Sequence, residues 1–246
     1  MSKKLLIFTH IPKTGGITMR SIVHKQFKPH EILHIPINAK INKLNHMSPM
    51  MAARIKCAYG HSRFGVHHYF PHTHVQYMTM LRDPLSRILS AYYFIRSSRV
   101  NNLKAVVSQM SFEDFIQSKI PRIANAVSNH QTRFLSGKNN PDLTLALHNM
   151  DKYFSFVGIT ELYPHSVFLL NHQMHWKQRA YSKENVTRKK PKHTPLSSKT
   201  ISYIKQKNAM DYQLYQTALE RLKQEIDQLS PLQRLQLRRF VSYHGG

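Results

Sequence analysis

Short continuous apolar runs occupy the first third of the chain, and longer helical stripes follow. Leu5, Leu6, Ile7 and Phe8, flanked by Lys4 and Thr9 and soon stopped by Pro12, Gly15 and Gly16, have the form of a strand buried on both faces. Beyond the Pro12-Lys13-Thr14-Gly15-Gly16 loop, Met19, Ile22 and Val23 share one side of a helix expected over Thr18 to Phe27. Glu31 to Ile37, Ile55 to Tyr59 (closing at Gly60) and Val75 to Leu81 read as further strands. Asp83 then offers an N-cap and Pro84 the first helical position, and Leu85, Ile88, Leu89 and Tyr92 follow at helical spacing. Ser111 to Lys152 is helical in pattern, interrupted by Pro121 and by a loop from Gly137 to Pro141. Tyr153 to Thr160 is another apolar strand, with a helix from about Pro164 to His175 behind it. Short strands alternating with helices predict an α/β fold, a central parallel β-sheet flanked by helices.

Residues 177–196 break the pattern with a dense run of Arg, Lys and Pro, which reads as a basic loop. From residue 197 to 243 the chain turns helical again. Tyr212, Tyr215, Leu219, Leu222, Ile226 and Leu229 alternate in steps of three and four, as a helix packed on the sheet or a short dimer seam would. Leu232, Leu235 and Phe240 sit among arginines in the tail, which suits a surface helix or a partner contact. With 246 residues and 41% hydrophobic content, the whole of 1–246 is most simply one domain. No stretch approaches the roughly 20 apolar residues of a membrane-spanning helix, and the run from Leu5 to Phe8 is too short for a signal peptide core. Cys57 is the single cysteine, so no intrachain disulfide forms. A cytoplasmic protein is expected.

Charge changes the picture. Thirty-six Lys and Arg against twelve Asp and Glu give a formal net charge of +24, a field that draws polyanions. Nucleic acid, an acidic membrane surface, an acidic polysaccharide and a multiply charged nucleotide all fit. On composition alone nucleic acid leads.

Two segments narrow the choice. A strand entering Pro12-Lys13-Thr14-Gly15-Gly16 and leaving as a helix lets glycines aim backbone N–H groups at an anion near a helix N-terminus. Lys13 adds a point charge, and the Thr14 and Thr18 hydroxyls can donate to phosphate oxygens. The order differs from the G-x-x-x-x-G-K-[ST] loop of nucleotide triphosphatases, because here the lysine precedes the glycines. A plain Gly-Gly turn with a surface lysine is the competing reading. The second segment is Leu81 to Tyr93. Arg82 leaves a strand end, and Ser86 and Ser90 lie one turn apart on the side opposite the apolar stripe. Arg82 and a serine can fork a second phosphate, although a solvated arginine beside a capped helix would give the same residues. Both segments follow strand ends, where open α/β sheets bind ligands. One ligand with two separate phosphate groups would satisfy both.

These residues resemble those of the sulfotransferase family. The strand-Pro12-Lys13-Thr14-Gly15-Gly16-helix segment is similar to its 5′-phosphosulfate loop, and Arg82-Asp83-Pro84-x-x-Arg87-x-x-Ser90-x-Tyr92 to its 3′-phosphate motif. Gln131-Thr132-Arg133-Phe134-Leu135-Ser136-Gly137, Phe156-Val157-Gly158-Ile159-Thr160-Glu161 and Asn208-x-x-Asp211-x-x-Leu214-Tyr215 extend the likeness in order across nearly the whole chain. The glycan-type members, including uronosyl 2-O-sulfotransferases, look most alike. The resemblance implies a P-loop-like sulfotransferase fold and 3′-phosphoadenosine 5′-phosphosulfate (PAPS) as donor, with 3′-phosphoadenosine 5′-phosphate (PAP) as product. Lys13, Thr14, Gly15, Gly16, Ile17 and Thr18 would line the 5′-phosphosulfate, and Arg82 and Ser90 would hold the 3′-phosphate. The family usually has Thr-Ser where this chain has Ile17-Thr18, which leaves one hydroxyl there. Arg188 and Lys189 stand where relatives place a nucleotide-closing basic residue, with Lys190 and Lys192 as neighbours of the same kind.

Sulfuryl transfer, like phosphoryl transfer, asks for in-line geometry and stabilisation of spreading charge, and the acceptor hydroxyl needs a base. Lys13 can meet the charge on the leaving phosphate, and no metal is expected. Among seventeen histidines, His61 follows Tyr59-Gly60 at a strand end on the expected edge. It also matches the Gly-His of the 2-O-sulfotransferases, whose histidine is the base. His10, just before the loop, is the next candidate. His67, His68, His72 and His74 form a dense group without established metal-ligand spacing, better suited to line an acceptor cleft. The expected acceptor is a hydroxyl of a carbohydrate, an acidic glycan in view of the charge, and nucleic acid is no longer expected as a partner. A protein tyrosine, small alcohol or lipid acceptor is the alternative, and a non-catalytic nucleic-acid-binding protein the alternative of another class.

Overall fold

A computed structural model describes residues 4–36, 47–70, 74–98, 101–177, 181 and 195–245. Its five strands, β1 (Lys4–Thr9), β2 (Ile32–Ile35), β3 (Cys57–Gly60), β4 (His74–Leu81) and β5 (Phe154–Ile159), form a wholly parallel sheet in the order β2-β3-β1-β4-β5. β1 is central, and Leu5, Ile7 and Phe8 have no solvent exposure, which is why it reads as an unbroken apolar run. The helices are α1 (Gly16–His24), α2 (Pro49–Arg54), α3 (Pro84–Ser97), α4 (Lys104–Ser108), α5 (Phe112–Gln117), α6 (Pro121–Ala126), α7 (His130–Ser136), α8 (Leu143–Tyr153), α9 (Tyr163–Gln173), α10 (Ser198–Lys207), α11 (Ala209–Asp227) and α12 (Pro231–Gly245). This is the expected α/β architecture with a helical C-terminal part. None of the described helices is long and apolar enough to cross a membrane.

Several expected boundaries move. α1 begins at Gly16, two residues before the expected Thr18, and ends at His24 rather than Phe27. Its N-cap is Gly15 in the left-handed region, with no side-chain cap to mark the start. β2 is only Ile32–Ile35, and Ile37 lies outside the described residues. β3 starts at Cys57, because Ile55 instead ends the turn that follows α2. In α3 the Asp83 cap is as expected, its carboxylate accepting from Ser86 N at 2.8 Å. The buried stripe of α3 differs, for Leu85 and Leu89 are only half-buried while Arg87 is 1% exposed. The Arg87 guanidinium donates to Ala126 O at 2.6 Å, and burial brings its pKa down to about 10.

The C-terminal seam packs inward on the sheet side. Leu214, Tyr215, Ala218 and Leu222 of α11 are buried, and the helix lies on β5, α7 and α8. Polar ties set its position. Asp211, wholly buried, accepts from Gln131 N (3.1 Å), Thr132 N (2.7 Å) and Thr132 Oγ1 (2.8 Å), capping the first turn of α7. In return Asn129 Oδ1 accepts from Asp211 N at 3.1 Å, and Asn208 Oδ1 from Asn129 N at 2.9 Å. The segments 131–137 and 208–215 are therefore one structural unit, whose lever arm is Gln131.

Candidate functional site

The register Thr9↔Gly60 between β1 and β3, Thr9↔Thr79 between β1 and β4, and Leu81↔Ile159 between β4 and β5 aligns the strand C-termini. The residues that leave the sheet there, His10, His61, Arg82 and Thr160, therefore meet along one edge.

The loop between β1 and α1 is built for close turns. Lys13 (φ 73°) and Gly15 (φ 77°) both occupy the left-handed region, which costs the lysine on the order of 1 kcal/mol. Thr14 is 1% exposed, and its hydroxyl donates to Ile11 O at 2.9 Å. That contact closes the turn. The backbone N–H groups of Gly16, Ile17 and Thr18 instead fall in the first turn of α1, where helix N–H groups lack intrahelical acceptors. Ile17 is half-buried and Thr18 buried. A Cβ on Gly16 would stand 1.9 Å from the His10 ring, so that ring packs directly beneath the loop. From β5, the Thr160 hydroxyl reaches Thr14 O (2.9 Å) and Leu81 O (2.8 Å), tying the loop to the end of β4.

Lys13 Nζ lies 3.9 Å from the centre of the Phe94 ring. Burial and the neighbouring Arg82 charge bring the Lys13 pKa from 10.5 to about 8. The unfolded lysine binds more protons between about pH 8 and 10.5, so the cost this group imposes on folding is relieved as pH rises across that window. At neutral pH two cations are held together at a cost that an anion would relieve.

Arg82 is the second cation. Its side chain donates to Lys13 O at 3.1 Å, while its Nε, buried, has no hydrogen-bond partner among the described residues and stands 3.8 Å from Glu161 Oε1. Gln131 grips the Arg82 backbone on both sides, accepting from Arg82 N at 2.9 Å and donating to Arg82 O at 2.8 Å. Glu161 also accepts from Asp83 N (3.2 Å) and from the Tyr215 hydroxyl (3.2 Å). Ser90 is half-buried, two turns into α3 and one turn before Phe94, hence on the helix face that Lys13 overlies. Arg188 and Lys189, with Lys190 and Lys192, lie outside the described residues.

His61 Nδ1 is 2.6 Å from His10 O, and the two rings stack at 4.4 Å. A carbonyl only accepts, so Nδ1 carries the proton and Nε2 keeps its lone pair. Burial lowers the His61 pKa below 6.5, outweighing the His10 carbonyl, so the imidazole is neutral at pH 7. His10 is more strongly affected. Burial first, then His61, Arg20 and Lys13, bring its pKa to about 3, and its ring is wedged against Gly16. His67 accepts the Tyr77 hydroxyl proton at Nδ1 (2.8 Å), since Gly65 N and His67 N already donate to that oxygen. It belongs to an aromatic cluster with Phe64 and Tyr153, whereas His68 and His74 are exposed and His72 is outside the described residues. His67 is thereby fixed within that cluster.

Phe94 and Tyr163 carry no mark in the sequence of their part in this edge, and Gln131 and Thr160 fall in segments that resemble the family without showing a role of their own. Each acts on Arg82, Lys13 or the loop across a long sequence separation.

The arrangement suits a ligand with two anionic groups. One would meet the α1 N-terminus and Lys13, the other Arg82, whose buried Nε has no hydrogen-bond partner among the described residues beside its 3.8 Å ion pair with Glu161. Among the described residues Lys13 makes no ion pair, and the chain has too few carboxylates to neutralise its cations. Comparison with known proteins gives this edge a context. The chain matches the sulfotransferase family over residues 2–217. It is 26% identical over 250 aligned positions to the heparin sulfate O-sulfotransferase of Drosophila melanogaster, covering 87% of this chain and 71% of the relative. The match spans the loop, the Arg82 strand end and the Asp211 unit together, and the chain belongs to the sulfotransferase family, enzymes whose sulfuryl donor is PAPS.

Proposed function

We propose that the protein transfers a sulfuryl group from PAPS to a hydroxyl of a carbohydrate chain, an acidic glycan, with His61 as the base. The observation that carries this reading is the His61–His10–Gly16 contact. It sets a neutral imidazole with a free Nε2 directly behind the loop that faces the donor. The similarity to a heparin sulfate O-sulfotransferase and the net charge of +24 support an acidic polysaccharide as acceptor.

PAPS, when bound, would supply the sulfuryl group, which passes to the acceptor oxygen as its S–O bond to the 5′-phosphate breaks and leaves PAP behind. The chain's residues supply the rest. Lys13, Gly15, Gly16, Ile17 and Thr18 hold the 5′ end through one ammonium group and backbone N–H groups. Thr14 shapes that loop. Arg82 and Ser90 hold the 3′-phosphate, and Arg188 and Lys189 are proposed to close over the nucleotide. His61 Nε2 accepts the proton of the acceptor hydroxyl, while the His10 carbonyl fixes the ring and favours the imidazolium that results. Lys13 stabilises the charge that grows on the 5′-phosphate.

The titrations of these two groups predict a bell-shaped pH profile of kcat/KM. The acid limb falls below pH 6.5 as His61 protonates. The alkaline limb begins near pH 8 as Lys13 loses its charge. In Lys13→Arg the alkaline limb moves beyond the accessible range, and an unmoved limb would assign it to another group.

The acceptor class is tested by incubating the protein with labelled PAPS and a panel of heparan sulfate, desulfated heparin, a neutral polysaccharide, a tyrosine peptide and a small alcohol. Label on the acidic polysaccharides, reduced by salt, is the expected result. Label only on the peptide or the alcohol would overturn the carbohydrate reading.

A further inference from the structure

The family match ends at residue 217, yet the structure continues through the rest of α11 into α12. α12 packs along α9, with Leu237 buried and Phe240 5.9 Å from Phe168. Near its end, His244 is 7% exposed and stacks on Tyr181 with ring centres 4.2 Å apart and planes 13° from parallel. Phe240 flanks the same ring at 6.2 Å. The Tyr181 hydroxyl is buried with no hydrogen-bond partner among the described residues, where ring packing holds it. Its other neighbour is Tyr163, at 5.8 Å. Tyr163 in turn donates its hydroxyl proton to Gly15 O at 2.9 Å, and its ring lies 2.7 Å from where a Gly15 Cβ would stand. The donor loop thus rests on Tyr163, Tyr163 on Tyr181, and Tyr181 on the C-terminal helix.

We propose that α12, through His244 and Tyr181, is a positioning element for the donor loop, setting the Gly15 carbonyl by the placement of the Tyr163 ring. None of these side chains need touch the donor. Gly15 sits in the left-handed region, and its N–H and C=O orientations fix where the first N–H groups of α1 aim. A small displacement of Tyr163 therefore misdirects several donors at once and weakens PAPS binding more than it slows the chemical step. The path is contiguous and made of packed rings, so it is open to a coupling test. This inference rests on the donor site proposed above.

The test is steady-state kinetics on the full chain with PAPS as the varied substrate, for His244→Ala, His244→Phe, Tyr163→Phe and the double variant His244→Ala/Tyr163→Phe. His244→Ala is expected to raise KM for PAPS about fivefold with kcat changed less than about twofold, and His244→Phe, which keeps a ring, to restore most of the loss. Tyr163→Phe is expected to raise KM similarly, and the double variant to fall short of the product of the two single effects. A His244→Ala protein with lowered Tm but unchanged KM for PAPS would overturn the proposal, as would independent, multiplicative effects. Arg82→Ala in the same assay separates the two readings. If Arg82→Ala raises KM and His244→Ala does not, only the role of α12 falls. If Arg82→Ala leaves KM unchanged, the donor site itself is wrong.

Discussion

His61→Ala lowers kcat for sulfuryl transfer by about 10²–10⁴-fold while leaving PAP affinity within about threefold of the unaltered protein. The size follows from the role. The acceptor hydroxyl is a poor nucleophile until its proton leaves, and the proposed base, His61, is a neutral imidazole oriented by a 2.6 Å contact with the His10 carbonyl. The separation of effects follows from position. His61 contributes to the edge from β3, whereas the anion-facing groups come from the β1–α1 loop and the end of β4. His10→Ala gives the opposite pattern, because its ring packs beneath Gly16 and its loss loosens the loop. Comparable losses of kcat in both variants with unaffected PAP binding would make His10 the base. Full activity in His61→Ala would remove His61 from the mechanism.

Asp211→Ala destabilises the fold by about 3 kcal/mol or more, because it strands buried donors at the first turn of α7. For a chain of this size the loss lowers Tm by roughly 6–12 °C. Asp211→Asn keeps one acceptor oxygen and loses less. The effect reaches the site, since Gln131 lies in that first turn and grips the Arg82 peptide on both sides. At a temperature where Asp211→Asn is folded, its PAP affinity is therefore reduced as well. Thermal unfolding checks the first outcome and PAP titration the second. An Asp211→Ala protein with unchanged Tm would mean that α7 is held by other contacts.

Much of the fold was legible because a doubly covered parallel sheet writes itself as apolar runs. β1 was readable to the residue, since every side chain from Leu5 to Thr9 is buried. α3 was readable at its start, because Asp83 and Pro84 act locally. The start of α1 was not, because the cap is a glycine conformation and no side chain signals it. Short edge strands such as β2 present half-exposed residues, and their limits blur. In the candidate site, the Lys13 loop and Arg82 were visible as strand-end motifs. Their supports lay in segments that resemble the family, but the contacts they make could not be read there. Gln131 reaches Arg82 across 49 residues, Asp211 reaches Gln131 across 80, and Thr160 reaches Thr14 across 146. Such partners are chosen by topology, which spacing in the sequence does not show. Arg87 illustrates the same limit, for its place on the buried face of α3 depends on a carbonyl acceptor 39 residues away.

The central claim is that the strand-end edge is a site for a nucleotide with separate 3′ and 5′ anionic groups. Its most direct test is calorimetric titration of the purified protein with PAP, alongside Arg82→Ala and with ATP as the competing nucleotide. Micromolar PAP binding is predicted, weakened more than about tenfold, or about 1.4 kcal/mol, by Arg82→Ala, with ATP much weaker. Folded protein that binds no PAP, or binds ATP and PAP alike with Arg82→Ala without effect, would contradict the account.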